Sequence, residues 1–329
     1  MKRALPIIIG ALVISTACSA ASLAANYGVL QRYPLGGAGK WDYLTLDANG
    51  QRLYIARGNR VMVMDTQTGK LAGEVTGANG AHRVVIVPEQ HRGYVSNGHA
   101  DSVMPMDLAT LKPLPAIAIS GKDPDAMLFD KASAKLWTFN GHSNNASVID
   151  PVSEKETATV ALPGKPEFAV TDDSGHIYVN LENTSQIADI DVKLGKVVNT
   201  WSLAPCDGPT GLAIDLKHRR LFSACANQKL VVLDADDGHR VASLPIGSDP
   251  DAAAYDSVSG TIFSSNADGS LTVIRQDDAD HYAVVANVAT AKGARTMAVD
   301  SQQHKVYLAA PDVTVNGQGT FGVLVVGTH

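Results

Sequence analysis

The feature that most constrains this chain is a self-similarity with a period of about 42 residues. An apolar run ending in Asp, or at Pro88 in one copy, recurs at Asp47, Pro88, Asp130, Asp172, Asp215, Asp256 and Asp300, at spacings of 41, 42, 42, 43, 41 and 44 residues. A second marker, an aromatic residue opening the next strand, recurs at Tyr54, Tyr94, Trp137, Tyr178, Phe222, Phe263 and Tyr307. A third, another apolar run, ends at Asp65, Asp107, Asp150, Asp191, Asp234 and Arg275, and its seventh copy is 323–326. Between the markers stand turn pairs such as Asn49-Gly50, Thr68-Gly69, Ser174-Gly175, Asp237-Gly238 and Ser259-Gly260. Helical periodicity is nowhere sustained. Four short strands per unit in seven units predict an all-β, seven-bladed β-propeller, whereas a β-solenoid would repeat at roughly 20 to 30 residues.

The seventh unit supplies three strands before His329. The missing outer strand is expected from 27–35 (YGVLQRYPL), which resembles fourth strands such as 240–246 (RVASLPI). An N-terminal strand completing the last blade would close the ring and protect its open edges. Residues 26–329 are then one domain despite their length, because no blade can bury its faces alone.

Residues 1–25 read as a signal peptide: Lys2-Arg3, an apolar run from Ala4 to Ile14, then small residues to Ala25. A lipid anchor on Cys18 is the alternative, disfavoured by Ser15, which stands where that cleavage box wants Leu, Val or Ile. No second run of about 20 apolar residues follows, so no membrane span is expected and the mature protein is placed in the periplasm. Two cysteines remain, Cys206 and Cys225. A hairpin places them near each other, and a disulfide is the simplest reading in an oxidising compartment; a metal pair or two free thiols are the alternatives, and no His/Cys spacing supports zinc. A content of 45% hydrophobic and 18% charged residues excludes disorder. Loss of Lys2 and Arg3 takes the net charge from -6 to -8, which argues against a nucleic-acid partner.

Segments 94–112 (YVSNGHADSVMPMDLATLK), 222–256 and 293–309 (GARTMAVDSQQHKVYLA) resemble the exported, YncE-like, YVTN-repeat seven-bladed propellers of bacteria, and the resemblance covers 26–329. It implies the same fold. For function it implies single-stranded DNA binding, a redox-related accessory role or a part in metal stress; the acidic charge argues against the first.

Aligning the seven units exposes one charged column. Five residues before each strand-end marker stand Asp42, Arg83, Asp125, Glu167, Thr210, Asp251 and Arg295, six of seven charged, and the next four columns carry no charge in any blade. In a propeller these positions begin the innermost strands and ring one mouth of the central channel. Asp42 lies between Arg83 and Arg295, which could pair with it or present a cationic arc to a carboxylate or phosphate. Asp125, Glu167 and Asp251 form an acidic arc able to hold an amine, a proton or a divalent metal, expected as calcium or magnesium because the ligands are oxygens. Alternatively the charges merely solvate and pin the mouth. His99 and His142, each after Asn-Gly in neighbouring blades, reach the same face and read as exposed loop histidines or as ligands, with His142 a candidate base.

No Walker, Rossmann, G-x-S-x-G or H-E-x-x-H motif is present. Met62, Met64, Met104 and Met106 read as core packing rather than copper ligands. Two functions of different class remain. One is a binding or accessory protein, expected to be a monomer, taking a small anionic molecule or a periplasmic protein at the mouth. The other is a metal-assisted hydrolase, lactonase or lyase in which Asp125, Glu167 and Asp251 hold the metal or act as base.

Overall fold

The computed structural model describes residues 26–313 and 319–329. The expected signal peptide and Cys18 lie outside the described residues. Seven antiparallel four-stranded blades follow one another along the chain. Blade 1 holds Leu44–Asp47, Arg52–Ala56, Gly58–Asp65 and the first part of Leu71–Val87. Blade 2 holds the rest of that long strand, then Arg92–Asn97, Ser102–Asp107 and Ile117–Ala118. Blades 3 to 6 begin at Pro124–Asp130, Pro166–Thr171, Pro209–Asp215 and Pro250–Asp256. Blade 7 holds Met297–Asp300, Lys305–Ala310 and Gly322–Thr328, and its outer strand is Tyr27–Pro34 from the other end of the chain. Tyr27 faces Thr328 and Pro34 faces Gly322 in that pairing, as the strand-like 27–35 segment predicted.

The first strands of successive blades neighbour one another around a closed ring, and Met297–Asp300 returns to Leu44–Asp47. Each interior strand is covered on both faces by the adjacent blades, which is why the middle strands read as unbroken apolar runs; Arg220–Cys225 is buried at every position. Outer strands touch solvent and turn polar, as in Lys155–Ala161. Seven apolar clusters fill the seven gaps between blades; the one between blades 4 and 5, for example, joins Tyr178, Ile187 and Leu203 to Leu212, Leu221 and Val231. The recurring aromatic sits in these gaps, at most 2% exposed in every blade. It is the third residue of its strand rather than the first, because that register turns it toward the neighbouring blade. Met62, Met64, Met104 and Met106 are buried in the same clusters.

Prolines bear on the irregularities. Blades 3 to 6 open their inner strand on Pro, which has no N–H to extend a ladder backward. Blade 2 has His82 at that place, and there the chain runs unbroken from one blade into the next, merging two blades into a seven-stranded sheet; blades 1 and 7, with Trp41 and Ala294 there, lack the proline without merging into the blade before, so its absence permits the continuation and does not by itself cause it. Pro113 and Pro115 cut the outer strand of blade 2 to Ile117–Ala118. Cys206 and Cys225 form a disulfide, with Cα atoms 5.4 Å apart, tying the lead-in of blade 5 to the end of its second strand.

Hydrogen bonds from one blade to the next hold the ring at both ends. At the upper end Ser96 Oγ donates to the carbonyl of Asp125 (2.7 Å), Thr210 Oγ1 to that of Pro250 (2.9 Å) and Thr296 Oγ1 to that of Asp42 (2.9 Å). Asn180 Nδ2 donates to the carbonyls of Thr210 and Gly211, and Ser265 Oγ to that of Arg295. At the lower end the strand-end carboxylates do the same work: Asp130 accepts from Thr171 Oγ1 (2.7 Å), Asp172 pairs with Arg219 (3.0 Å) and Asp256 with His304 (2.7 Å).

Candidate functional site at the channel mouth

The charged column lies at or just before the start of the inner strands, except that Arg83 falls well inside the long strand Leu71–Val87, and the upper-end bonds fix its backbone. Asp42, Arg83, Asp125 and Arg295 thus have their main chains held by Thr296, Ser96 and Ser265. Thr210 is spent on this stitching, its hydroxyl given to Pro250, so it supplies structure rather than a free ligand.

The pairing differs from the expected arginine–Asp42–arginine arc. Asp42 Oδ2 bonds His82 Nδ1 at 2.6 Å, and Arg295 turns the other way to Asp251, 3.0 Å from Nε to Oδ2. Arg83 lies over the rings of Phe168 and Tyr43, 4.5 and 5.5 Å from their centroids, while the two rings contact each other at 5.0 Å. The reason is steric and electrostatic together. Phe168 and Tyr43 each follow a ring position and turn inward, and a guanidinium is weakly hydrated enough to lie on aromatic faces. These three side chains form a floor to the mouth, and they also line an inner cavity of about 340 Å³ whose remaining walls are mostly apolar, including Leu212, Ile214, Ala252, Met297 and Val299.

His82 is the residue that sequence reasoning missed. Its Nδ1 also stands 3.7 Å from Asp125 Oδ1, and its Nε2 stands 3.9 Å from Asp123 Oδ1. Asp123 continues the set to His142, 3.4 Å from Oδ2 to Nε2, while the His142 side chain is 75% exposed. His99 is elsewhere. It lines a separate recess with Lys40, Arg57 and Arg60, in which Arg57 lies over Phe321 and gives Nη2 to the carbonyls of Gly37 and Ala38. Glu167 reaches Lys165 at 3.8 Å, and Lys165 is bonded to Glu182.

Crowding at a partly enclosed mouth shifts these groups strongly. Burial, then the charge of Asp42, pushes Asp125 up to about 7, against the opposing pull of His82. Burial and the charge of Asp125 push Glu167 up to about 8, with Lys165 opposing. Burial raises Asp251 to about 6 even though Arg295 pulls it down. For His82 burial acts downward, yet the bond to Asp42 and the charges of Asp125, Asp42 and Asp123 lift it to about 9. The Tyr43 hydroxyl is held well above its usual value by burial and by Asp251, Glu167, Asp125 and Asp42, so it stays a proton donor.

Three polar atoms here are shut off from solvent and have no hydrogen-bond partner among the described residues: Asp125 Oδ1, His82 Nε2 and Arg83 Nε. One acceptor and two nitrogens left bare within the same mouth are costly, on the order of 1–3 kcal/mol each, unless something binds them.

No protein-family model and no curated protein sequence matches the chain. Solved structures do match it over 92% of its length. They include Kuenenia stuttgartiensis hydrazine synthase, with a TM-score of 0.76, 16% identity and 97% of that chain covered. Two more are U3-55K, with a TM-score of 0.76, 5% identity and 98% covered, and the WD40 repeats of RRP9, with a TM-score of 0.77, 6% identity and 98% covered. The fold is therefore that of a β-propeller, and at these identities the likeness extends to fold alone.

Proposed function

We propose that the chain is an exported, YncE-like propeller that binds a small ligand at this mouth. The reading rests on the bare trio of Asp125 Oδ1, His82 Nε2 and Arg83 Nε. A ligand meeting all three carries an anionic or carbonyl oxygen for Arg83 and a donor for Asp125, which describes a small organic acid that also bears an amine or hydroxyl. Tyr43 and Phe168 offer it an aromatic floor. The Cys206–Cys225 disulfide supports a periplasmic setting, and among the described residues no helix is long and apolar enough to cross a membrane.

The test is calorimetric titration of chelator-treated protein with amino acids, hydroxy acids, dicarboxylates and phosphate esters. One compound is expected to bind with one-to-one stoichiometry and to lose at least about tenfold in affinity, roughly 1.4 kcal/mol, in Asp125→Asn and in Arg83→Lys. His99→Ala, in the separate recess, should bind as the wild type does. Affinity unchanged in both mouth variants would remove the site from the mouth.

A further inference from the structure

We propose that Asp42, His82 and Asp125 hold one divalent transition-metal ion at the mouth, of the zinc, manganese or cobalt kind. The proposal rests on the ligand-site reading above; with the ion bound, Asp125 Oδ1 is a metal ligand, and the amine or hydroxyl of the organic ligand would meet the ion there instead of the bare carboxylate. One ligand atom from each of the three residues lies within 4.8 Å of the other two. Around an ion with bonds of about 2.1 Å, donor atoms stand roughly 3 to 4.2 Å apart, so Asp125 Oδ1, 3.7 Å from His82 Nδ1, is already in range, while the 2.6 Å bond between Asp42 and His82 would open and Nδ1 would release its proton to solvent as the ion enters.

A further observation points to an ion. Asp125 Oδ1 is enclosed and accepts no hydrogen bond among the described residues, and it stops 3.7 Å from His82 Nδ1, within ion-pair range but too far for a hydrogen bond, a separation that one ion bonded to both would span. On the far side of the ring His82 Nε2 faces Asp123 Oδ1 at 3.9 Å, beyond hydrogen-bond reach, and Asp123 is itself anchored where its N–H donates to Asp101 Oδ1 (2.9 Å); an approach of about 1 Å would let that carboxylate orient the ring. Gly98 keeps room for that pair, since a Cβ there would stand 2.5 Å from Asp123 Oδ1 and 2.6 Å from His82 Nε2.

The donor set selects the ion. One imidazole nitrogen with two carboxylates suits first-row transition metals, unlike the all-oxygen set of Asp125, Glu167 and Asp251 that would favour calcium or magnesium. Three protein ligands also leave positions open toward the mouth. A second candidate cluster, Asp234, Asp237 and His239, is the natural control: Asp234 is already paired with Arg220, and Asp237 and His239 are exposed to solvent.

The experiment uses tag-free protein stripped with chelator, loaded with cobalt or zinc, dialysed and assayed for bound metal. Wild type should retain one equivalent and show visible cobalt bands of nitrogen–oxygen coordination, with calcium and magnesium failing to compete at hundredfold excess. Asp125→Asn and His82→Gln should each lower affinity by about 10- to 100-fold. Glu167→Gln and His239→Ala should keep the ion. If His82→Gln does not fold, Asp125→Asn and the cobalt spectrum decide. Less than a tenth of an equivalent retained by the wild type, or retention lost in His239→Ala and kept in Asp125→Asn, would overturn the proposal. An organic ligand bound equally by metal-free protein, together with no metal uptake, would overturn the ion and leave the ligand site standing; metal uptake with no organic ligand would do the reverse.

Discussion

Glu167 shows how single side chains at the mouth couple charge to stability. Its carboxyl is held at about 8, and those of Asp125 and Asp251 at about 7 and 6, so between roughly pH 4 and 8 the folded chain keeps protons that the unfolded chain gives up. Their contribution therefore falls as pH rises through that window. His82, lifted to about 9, has the same sign, its contribution present below its ordinary value and lost as pH passes 9. In chelator-containing buffer, Glu167→Gln should be more stable than wild type at pH 9 by about 1–3 kcal/mol and equal to it near pH 4, read from urea midpoints. A variant less stable at pH 9 would show that Glu167 is satisfied as an anion. The charged column itself was legible because seven copies could be compared. His82 was not, since it occupies a column where four other blades carry Pro124, Pro166, Pro209 and Pro250 and the remaining two carry Trp41 and Ala294; its being the one titratable residue of that column was the available signal. The pairing of Arg295 with Asp251, and of Arg83 with aromatic rings, depends on rotamers and blade-to-blade distances that no repeat alignment contains.

At the scale of elements, the ring depends on a few stitches. Ser96 on the second strand of blade 2 accepts from the Arg83 N–H and donates to the Asp125 carbonyl, so Ser96→Ala leaves two buried main-chain groups unpaired. The expected cost is about 1–3 kcal/mol, with weakened ligand binding because both flanking residues belong to the mouth. Unchanged denaturation would mean that water replaces the hydroxyl. The Cys206–Cys225 bridge closes a short loop of separation 19 and should contribute about 3 kcal/mol, measured as the stability lost in the Cys206→Ala, Cys225→Ala double variant. The strand Tyr27–Pro34 covers Gly322–Thr328, and its removal should expose a sheet edge and convert a monodisperse protein into an aggregating one, seen by light scattering. Both the bridge and this strand were readable in advance, one from cysteine parity and the other from a seventh unit lacking its fourth strand. The merger of blades 1 and 2 was not, because blades 1 and 7 also lack the proline, at Trp41 and Ala294, and keep separate inner strands.

For the whole molecule, the 42-residue period carried nearly all the architecture. A repeat that buries its faces only against neighbours leaves few ways to finish, and seven apolar gaps closed in a circle are one of them. The same symmetry is what makes the mouth informative: positions equivalent in the fold differ in chemistry, and the differences gather between blades 1 and 3, where Asp42, His82, Arg83, Asp123 and Asp125 converge. Diffraction from crystals soaked with the tightest ligand found by titration tests the central claim most directly. The predicted result is continuous electron density in the mouth, within hydrogen-bond distance of Asp125 Oδ1 and Arg83 Nε and above the Tyr43–Phe168 floor. Density confined to the Arg57 recess, or a mouth in which Asp125 closes directly onto His82 and leaves no atom bare, would contradict it.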